Sequence, residues 1–269
     1  MIFVPKLIIR LAKIIPAPLK SMLKRAGAGK LSQAIWLISG SSPHSFQLSA
    51  QLQWVDVLKN NKLALCEYWQ RYRYLDEINE ICRIGDDTKV LDVGCGISSV
   101  LHHLKGQRLG IDPLADEYVK LYKYPDGINI IRGVGENMPF PHEHFDLVLC
   151  CDTLDHATNP RKTADEIYRV LKPGGLLILR VWDFWRRKRA VSSILKYTLF
   201  KIIKRSKLDF KDVFVPWKNS SGKILIQRYF HCFTKKELEN LAREAGFRIK
   251  ESWKGGKDPR TNIYLIAEK

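Results

Sequence analysis

The chain has 269 residues, 45% of them hydrophobic, an ordinary globular proportion and enough for one well-packed α/β domain with additions. Its six cysteines (Cys66, Cys82, Cys95, Cys150, Cys151, Cys232) form no CxxC pair and no framework spacing. That excludes a disulfide scaffold and a zinc site, so no metal is expected and the thiols read as those of an intracellular protein. The net charge is +17, of which residues 1–30 supply +7 and residues 186–211 supply +9, leaving +1 for everything else. A near-neutral body with two basic attachments points to an anionic partner, membrane or nucleic acid, met by those segments alone.

In chain order, the first expected element is an amphipathic helix. Val4, Leu7, Ile8, Leu11, Ile14 and Ile15 form one stripe, with Lys6, Arg10 and Lys13 off it. Pro16 and Pro18 end the pattern. The apolar run is too short to span a bilayer, which takes about 20 residues, and no secretory h-region is visible. A mitochondrial presequence, or a helix docked on its own domain, would show the same pattern. Residues 1–47 are therefore a basic N-terminal segment with a Ser-rich linker, and residues 48–84 an aromatic-rich helical cap. Tyr68, Trp69, Arg71 and Tyr72 in that cap would either close over a ligand or simply pack on the domain.

Strands are then expected at Lys89–Val93, Arg108–Asp112, Ile128–Arg132, Phe145–Cys151 and Leu176–Val181, with a helical pattern around Ala164–Leu171. Such alternation implies a parallel sheet covered on both faces. Residues 183–230 interrupt it and are expected to be a helical basic insertion, with a second stripe of Val191, Ile194, Leu195, Leu199, Ile202 and Ile203. A late helix, "TKKELENLAREAGF", carries a capping box of Thr234 and Glu237 and stops at Gly246. Strands near Phe247–Trp253 and Ile263–Ala267 follow. Residues 85–182 and 231–269 thus form the main domain.

In an open parallel sheet, ligands sit beyond the C-terminal ends of the strands. Gly94 and Gly96, in "VLDVGCGISSV", let the chain turn sharply after the first strand and let a ligand approach closely. Asp112 ends the second strand, where a carboxylate accepts hydrogen bonds from both ribose hydroxyls. The pair marks an adenosine-containing ligand. Ser98 and Ser99 follow where a dinucleotide fingerprint would carry its third glycine, so the GxGxxG pattern is incomplete.

Further blocks appear in a fixed order: "GID" at Gly110–Asp112, "GVGENMPFPHEHFDLVLC" at Gly133–Cys150, "TLDHATNP" at Thr153–Pro160, and "RVLKPGGLLIL" at Arg169–Leu179. With "VLDVGCG" and the late helix, they resemble the class I S-adenosylmethionine-dependent methyltransferases, most closely the small-molecule branch of the ubiquinone/menaquinone-biosynthesis type. The resemblance covers roughly half the chain. It implies a Rossmann-like α/β fold with a seven-stranded sheet in the order 3-2-1-4-5-7-6, the seventh strand antiparallel, and S-adenosyl-L-methionine as cofactor. It also implies that Asp92, Gly94, Cys95 and Gly96 line the methionine portion and that Asp112 holds the ribose. Pro113 or Leu114 would lie against the adenine, Gly135 and Glu136 at its edge, and Cys151 or Asp152 at the amino-acid end. Two departures stand out: Ser98 where the family often has glycine, and Val134 where many members have an aspartate for the adenine amino group.

An oxygen or nitrogen acceptor calls for a base. His156, His231 and Asp155 are the candidates, with Asp155 equally readable as a carboxylate at a helix start. His102 and His103 are expected to be solvated. The expected function is methyl transfer to a small or lipid-linked acceptor, in the cytoplasm or at the inner face of a membrane. A non-catalytic scaffold of the same fold and a nucleic-acid methyltransferase are the alternatives, although "CDTLDH" lacks a base-recognition motif. The oligomeric state is left open.

Overall fold

The computed structural model describes residues 51, 52, 55, 82–97, 100–186, 190–204, 209–218, 224–255 and 262–269. The expected N-terminal helix, most of the helical cap and Ser98–Ser99 lie outside them. Contacts divide the chain into two compact units, one of residues 51–193 and 231–269 and one that includes residues 194–230.

The larger unit is built on seven strands. They are β1 (Lys89–Val93), β2 (Gln107–Asp112), β3 (Ile128–Arg132), β4 (Phe145–Cys151), β5 (Leu171–Trp182), β8 (Arg248–Gly255) and β9 (Asn262–Glu268). Their spatial order is β3-β2-β1-β4-β5-β9-β8. The first five are parallel, and β9 runs antiparallel to both β5 and β8. Counted within this sheet alone, the order is the 3-2-1-4-5-7-6 expected from the sequence.

Both faces of the sheet are buried, which explains the nearly unbroken apolar runs. Leu91, Val93, Val148, Leu177, Leu179 and Leu265 face one cluster, which Ile167, Val170, Leu238 and Ala242 complete. Val90, Leu147, Leu149 and Ile178 face the other, with Ile84, Leu101 and Leu104. Each fully buried leucine or isoleucine contributes about 1.5–3 kcal/mol.

Among the described residues, α1 (Ala115–Leu121), α2 (Pro160–Val170) and α4 (Lys235–Glu244) lie in this unit. Asn159 caps α2, its Oδ1 accepting from Lys162 N at 3.0 Å, and Pro160 fits the first turn. The capping box of α4 is formed: Glu237 N donates to Thr234 Oγ1 at 3.2 Å and Thr234 N to Glu237 Oε2 at 3.3 Å. Gly246 follows at φ +105, where a Cβ would stand 2.9 Å from the Tyr168 ring.

The insertion differs from the expected helical one. Helix α3 (Ala190–Lys204) is followed by a separate two-stranded sheet, β6 (Asp212–Lys218) and β7 (Ile224–His231). "VFVPW" and "ILIQRYF" are rich in β-branched and aromatic residues, which favour strands. In the smaller unit Tyr197 of α3 meets Phe214 edge-on at 5.8 Å, and Phe214 meets Tyr229 at 6.2 Å. The stripe on α3 is split: Ile194 and Tyr197 are buried, while Val191, Leu195 and Leu199 are 60%, 62% and 56% exposed. No helix among the described residues is long and apolar enough to cross a membrane.

Candidate active site

The site forms where β1 runs out. Gly94 N and Cys95 N both donate to Ile111 O, at 2.8 and 3.2 Å, so the chain folds back over the end of β2. The turn needs left-handed backbone at two positions, Gly94 at φ +70 and Gly96 at φ +54. The two glycines then differ. A Cβ on Gly94 would lie 2.1 Å from Thr153 Cγ2, whereas a Cβ on Gly96 would meet nothing within 4 Å. Gly94 is thus fixed by the protein itself, and Gly96 borders open space.

The other half of the site is Asp112. Its Oδ2 accepts from Gly96 N at 3.0 Å and its Oδ1 from Leu114 N at 2.8 Å. Each oxygen keeps a further lone pair for an outside donor. Burial raises the Asp112 pKa to about 6, against the pull of those two N–H groups. Asp92, 2% exposed, is pushed well above the usual carboxylate range by burial and then by the charge of Asp112.

The remaining expected residues fall into place unevenly. Cys95 points into the fold: a Cβ on Gly110 would stand 2.5 Å from its Sγ. Only its backbone is left to border the turn. Gly135 also has a packing reason, since a Cβ there would press on Thr163 at 2.9 Å and Val93 at 3.1 Å. Glu136 Oε1 accepts from Thr158 N at 2.9 Å and Asn159 N at 3.2 Å, tying the turn after β3 to the start of α2. Leu114 is buried and Pro113 half-buried.

At the end of β4, the partly buried Cys151 packs against the cluster of Val90, Leu149 and Ile178. Burial drives its thiol pKa well up. Asp152 pairs with Arg180, which the sequence reading missed; the signal was an arginine inside the otherwise apolar run "LLILRV". The hydroxyl of Thr153 lies 3.2 Å from both Gly94 O and Cys151 O, joining the segment after β4 to the glycine turn.

The three candidate bases separate. Asp155 is 1% exposed and lies in the first turn of the 3₁₀ helix Leu154–His156. His156 is half-buried in the same turn, its N–H donating to Thr153 O at 2.9 Å. His231 ends β7, with Nε2 3.3 Å from Glu237 Oε1 and its ring edge-on to Phe233 at 4.7 Å. His102 is not solvated as expected. It stacks on Tyr124 at 6.2 Å, and burial and neighbouring cations lower its pKa to about 4. Among the described residues no three acidic, histidine or cysteine side chains gather as a metal site.

The sequence profile of the "Methyltransferase domain" family matches residues 91–179, which hold all of this geometry up to β5. The chain is 30% identical over 172 residues to the ubiquinone biosynthesis O-methyltransferase of Pseudomonas fluorescens, covering 56% of this chain and 69% of the relative. The chain belongs to the class I S-adenosylmethionine-dependent methyltransferases. Among solved structures, an S-adenosylmethionine-dependent methyltransferase from Methanosarcina mazei shares the fold. Its TM-score is 0.56 and its identity 20%, over 69% of this chain and 94% of that one. A Pyrococcus horikoshii protein matches with TM-score 0.52 and 22% identity, over 75% and 91%. This methyltransferase therefore uses S-adenosyl-L-methionine, and the glycine turn fits it. The open space at Gly96 and the oriented carboxylate of Asp112 suit an adenosine carrying a bulky 5′ substituent.

Proposed function

We propose that this methyltransferase modifies a small, lipid-soluble or lipid-linked acceptor at an anionic membrane surface. The observation that carries the acceptor class is the similarity to a ubiquinone biosynthesis O-methyltransferase over 172 residues. Aromatic side chains at the end of β5 support it: Trp182 packs edge-on against Phe184 at 5.5 Å, and Trp253 stacks on Tyr264 at 5.1 Å. The exposed stripe of Val191, Leu195 and Leu199, in a segment of net charge +9, supports the membrane. Apolar and cationic groups together suit a bilayer interface, whereas nucleic acid has use only for the charge.

In this reading Asp112 accepts the ribose hydroxyls, and the Gly94–Gly96 turn with Asp92 and the Cys95 backbone borders the methionine portion. Pro113 and Leu114 lie against the adenine, with Gly135 and Glu136 at its edge, and Asp152 takes the ammonium group. The bound sulfonium supplies an activated methyl group. The protein's own part is alignment of the acceptor, exclusion of water and removal of a proton. His156 takes that proton from the acceptor oxygen, since its turn is joined through Thr153 to the glycine turn. His231, held by Glu237, belongs to the cap of α4.

Labelled methyl donor incubated with the protein and a cell extract tests this. Label is expected in solvent-extractable small molecules. Label confined to protein or nucleic acid, or no transfer at all, would contradict it.

A further inference from the structure

A charge pair at the ends of β4 and β5 lies outside the contacts made by the glycine turn. Arg180 is 1% exposed, the bulkiest of the fully buried side chains among the described residues. A guanidinium cannot shed its proton, so burying it demands a fixed anion. Asp152 is that anion. Arg180 Nε donates to Asp152 Oδ1 at 3.1 Å, and Nη2 donates to Oδ2.

The backbone is fixed by the same neighbour. Asp152 N donates to Arg180 O at 2.8 Å. Asp152 adopts φ +56, a left-handed conformation that costs a non-glycine residue energy and persists only when its surroundings hold it. The pair is also lopsided: the Arg180 side chain is 2% exposed and that of Asp152 34%. The guanidinium is therefore the inner, supporting end and the carboxylate the outer one. The next residue, Thr153, touches Gly94 O, which puts Asp152 one residue from the glycine turn.

We propose that Arg180 is a positioning residue for the amino-acid end of the cofactor. It holds the Asp152 carboxylate oriented to take the cofactor's ammonium group. The proposal rests on the site reading above and adds the residue that makes it work.

Two neutral thioethers of adenosine test it. S-adenosylhomocysteine has the amino-acid end, and 5′-methylthioadenosine lacks it. Calorimetry on the full-length wild type, Arg180→Lys and Asp152→Asn should show S-adenosylhomocysteine weakened about tenfold or more by each change. Binding of 5′-methylthioadenosine should stay within about twofold, and the double variant should lose no more than the worse single one. Equal loss of both ligands, or loss of neither, overturns the proposal. If Arg180→Lys does not fold, Asp152→Asn with a wild-type melting curve decides alone, and unchanged S-adenosylhomocysteine affinity overturns it. A wild type that binds neither ligand would overturn the site reading itself, and this proposal with it.

Discussion

Asp112 and Gly96 share one hydrogen bond, Gly96 N to Asp112 Oδ2 at 3.0 Å, and through it the glycine turn and the Asp112 carboxylate become a single object. The backbone that borders the ligand space is also what aims the carboxylate. Displacing either residue displaces the other.

A pH dependence follows, because burial raises the Asp112 pKa to about 6. Below that pH the carboxylate takes a proton and loses one of its acceptor oxygens, so cofactor affinity falls as the pH drops from 7.5 to 5. The folding contribution has the opposite sign. A carboxylate whose folded pKa is raised binds protons more tightly when folded, so its stability contribution is complete below the unfolded value of about 3.9 and is lost as pH rises through about 6. Relative to Asp112→Asn, the ligand-free wild type should therefore melt at progressively lower temperature between pH 4 and 7. Melting curves with and without S-adenosylmethionine check both signs. Parallel pH profiles for wild type and variant would contradict them.

The two glycines of the turn should fail differently. Gly94→Ala puts a Cβ 2.1 Å from Thr153 Cγ2, so the loss should appear in the melting temperature of the ligand-free protein. Gly96→Ala meets no protein atom within 4 Å. It should cost only the left-handed backbone strain of about 1–2 kcal/mol, while cofactor affinity falls much further. Circular dichroism and calorimetry on both variants separate the two effects. Identical behaviour would mean that Gly96 does not face the ligand.

His156 and His231 should also part company. His156→Ala is expected to lower kcat by about 10²–10⁴-fold with cofactor affinity unchanged. His231→Ala removes the partner of Glu237 at the α4 cap, so its main effect should be on thermal stability. Single-turnover rates and melting curves measure both. A kcat loss confined to His231→Ala would move the base to that residue.

The exposed side of α3 can be tested without the chemistry. Changing Leu195 and Leu199 to serine removes apolar surface that is already 62% and 56% exposed, so folding should be unaffected. Co-sedimentation with anionic vesicles should weaken, and raised salt should weaken it further, since each basic residue near such a leaflet contributes about 1 kcal/mol. Unchanged sedimentation would remove α3 from the membrane reading.

Much of the fold was legible where structure is local. "INIIR" and "FDLVLCC" are β-branched or apolar runs closed by turn residues, and β3 and β4 occupy those residues. The capping box of α4 was readable because its partners are three residues apart. What failed depends on distant contacts. β5 starts at Leu171, five residues earlier than its apolar run, because distant residues pair with that stretch: Phe145 of β4 stands opposite Leu171, and Gly174 N donates to Lys269 O and Lys269 N to Gly175 O, both at 3.0 Å. The Asp152–Arg180 pair joins residues 28 apart, and nothing near Asp152 announces an arginine. His102 looked solvated beside His103, but Tyr124 covers it. In the insertion, the apolar stripe from Val191 to Ile203 points to helix, and the expectation extended that helix over residues that form β6 and β7.

The most direct test of the account is calorimetric titration of S-adenosylmethionine into the wild type and Asp112→Ala side by side. In the proposed binding mode the substitution strips two ribose hydroxyls of a charged acceptor that the Gly96 and Leu114 N–H groups hold in place. The account predicts wild-type binding and a loss of about 1.5–3 kcal/mol in the variant, roughly 10- to 150-fold in Kd, with the fold intact by circular dichroism. Equal affinity in the two proteins would contradict it.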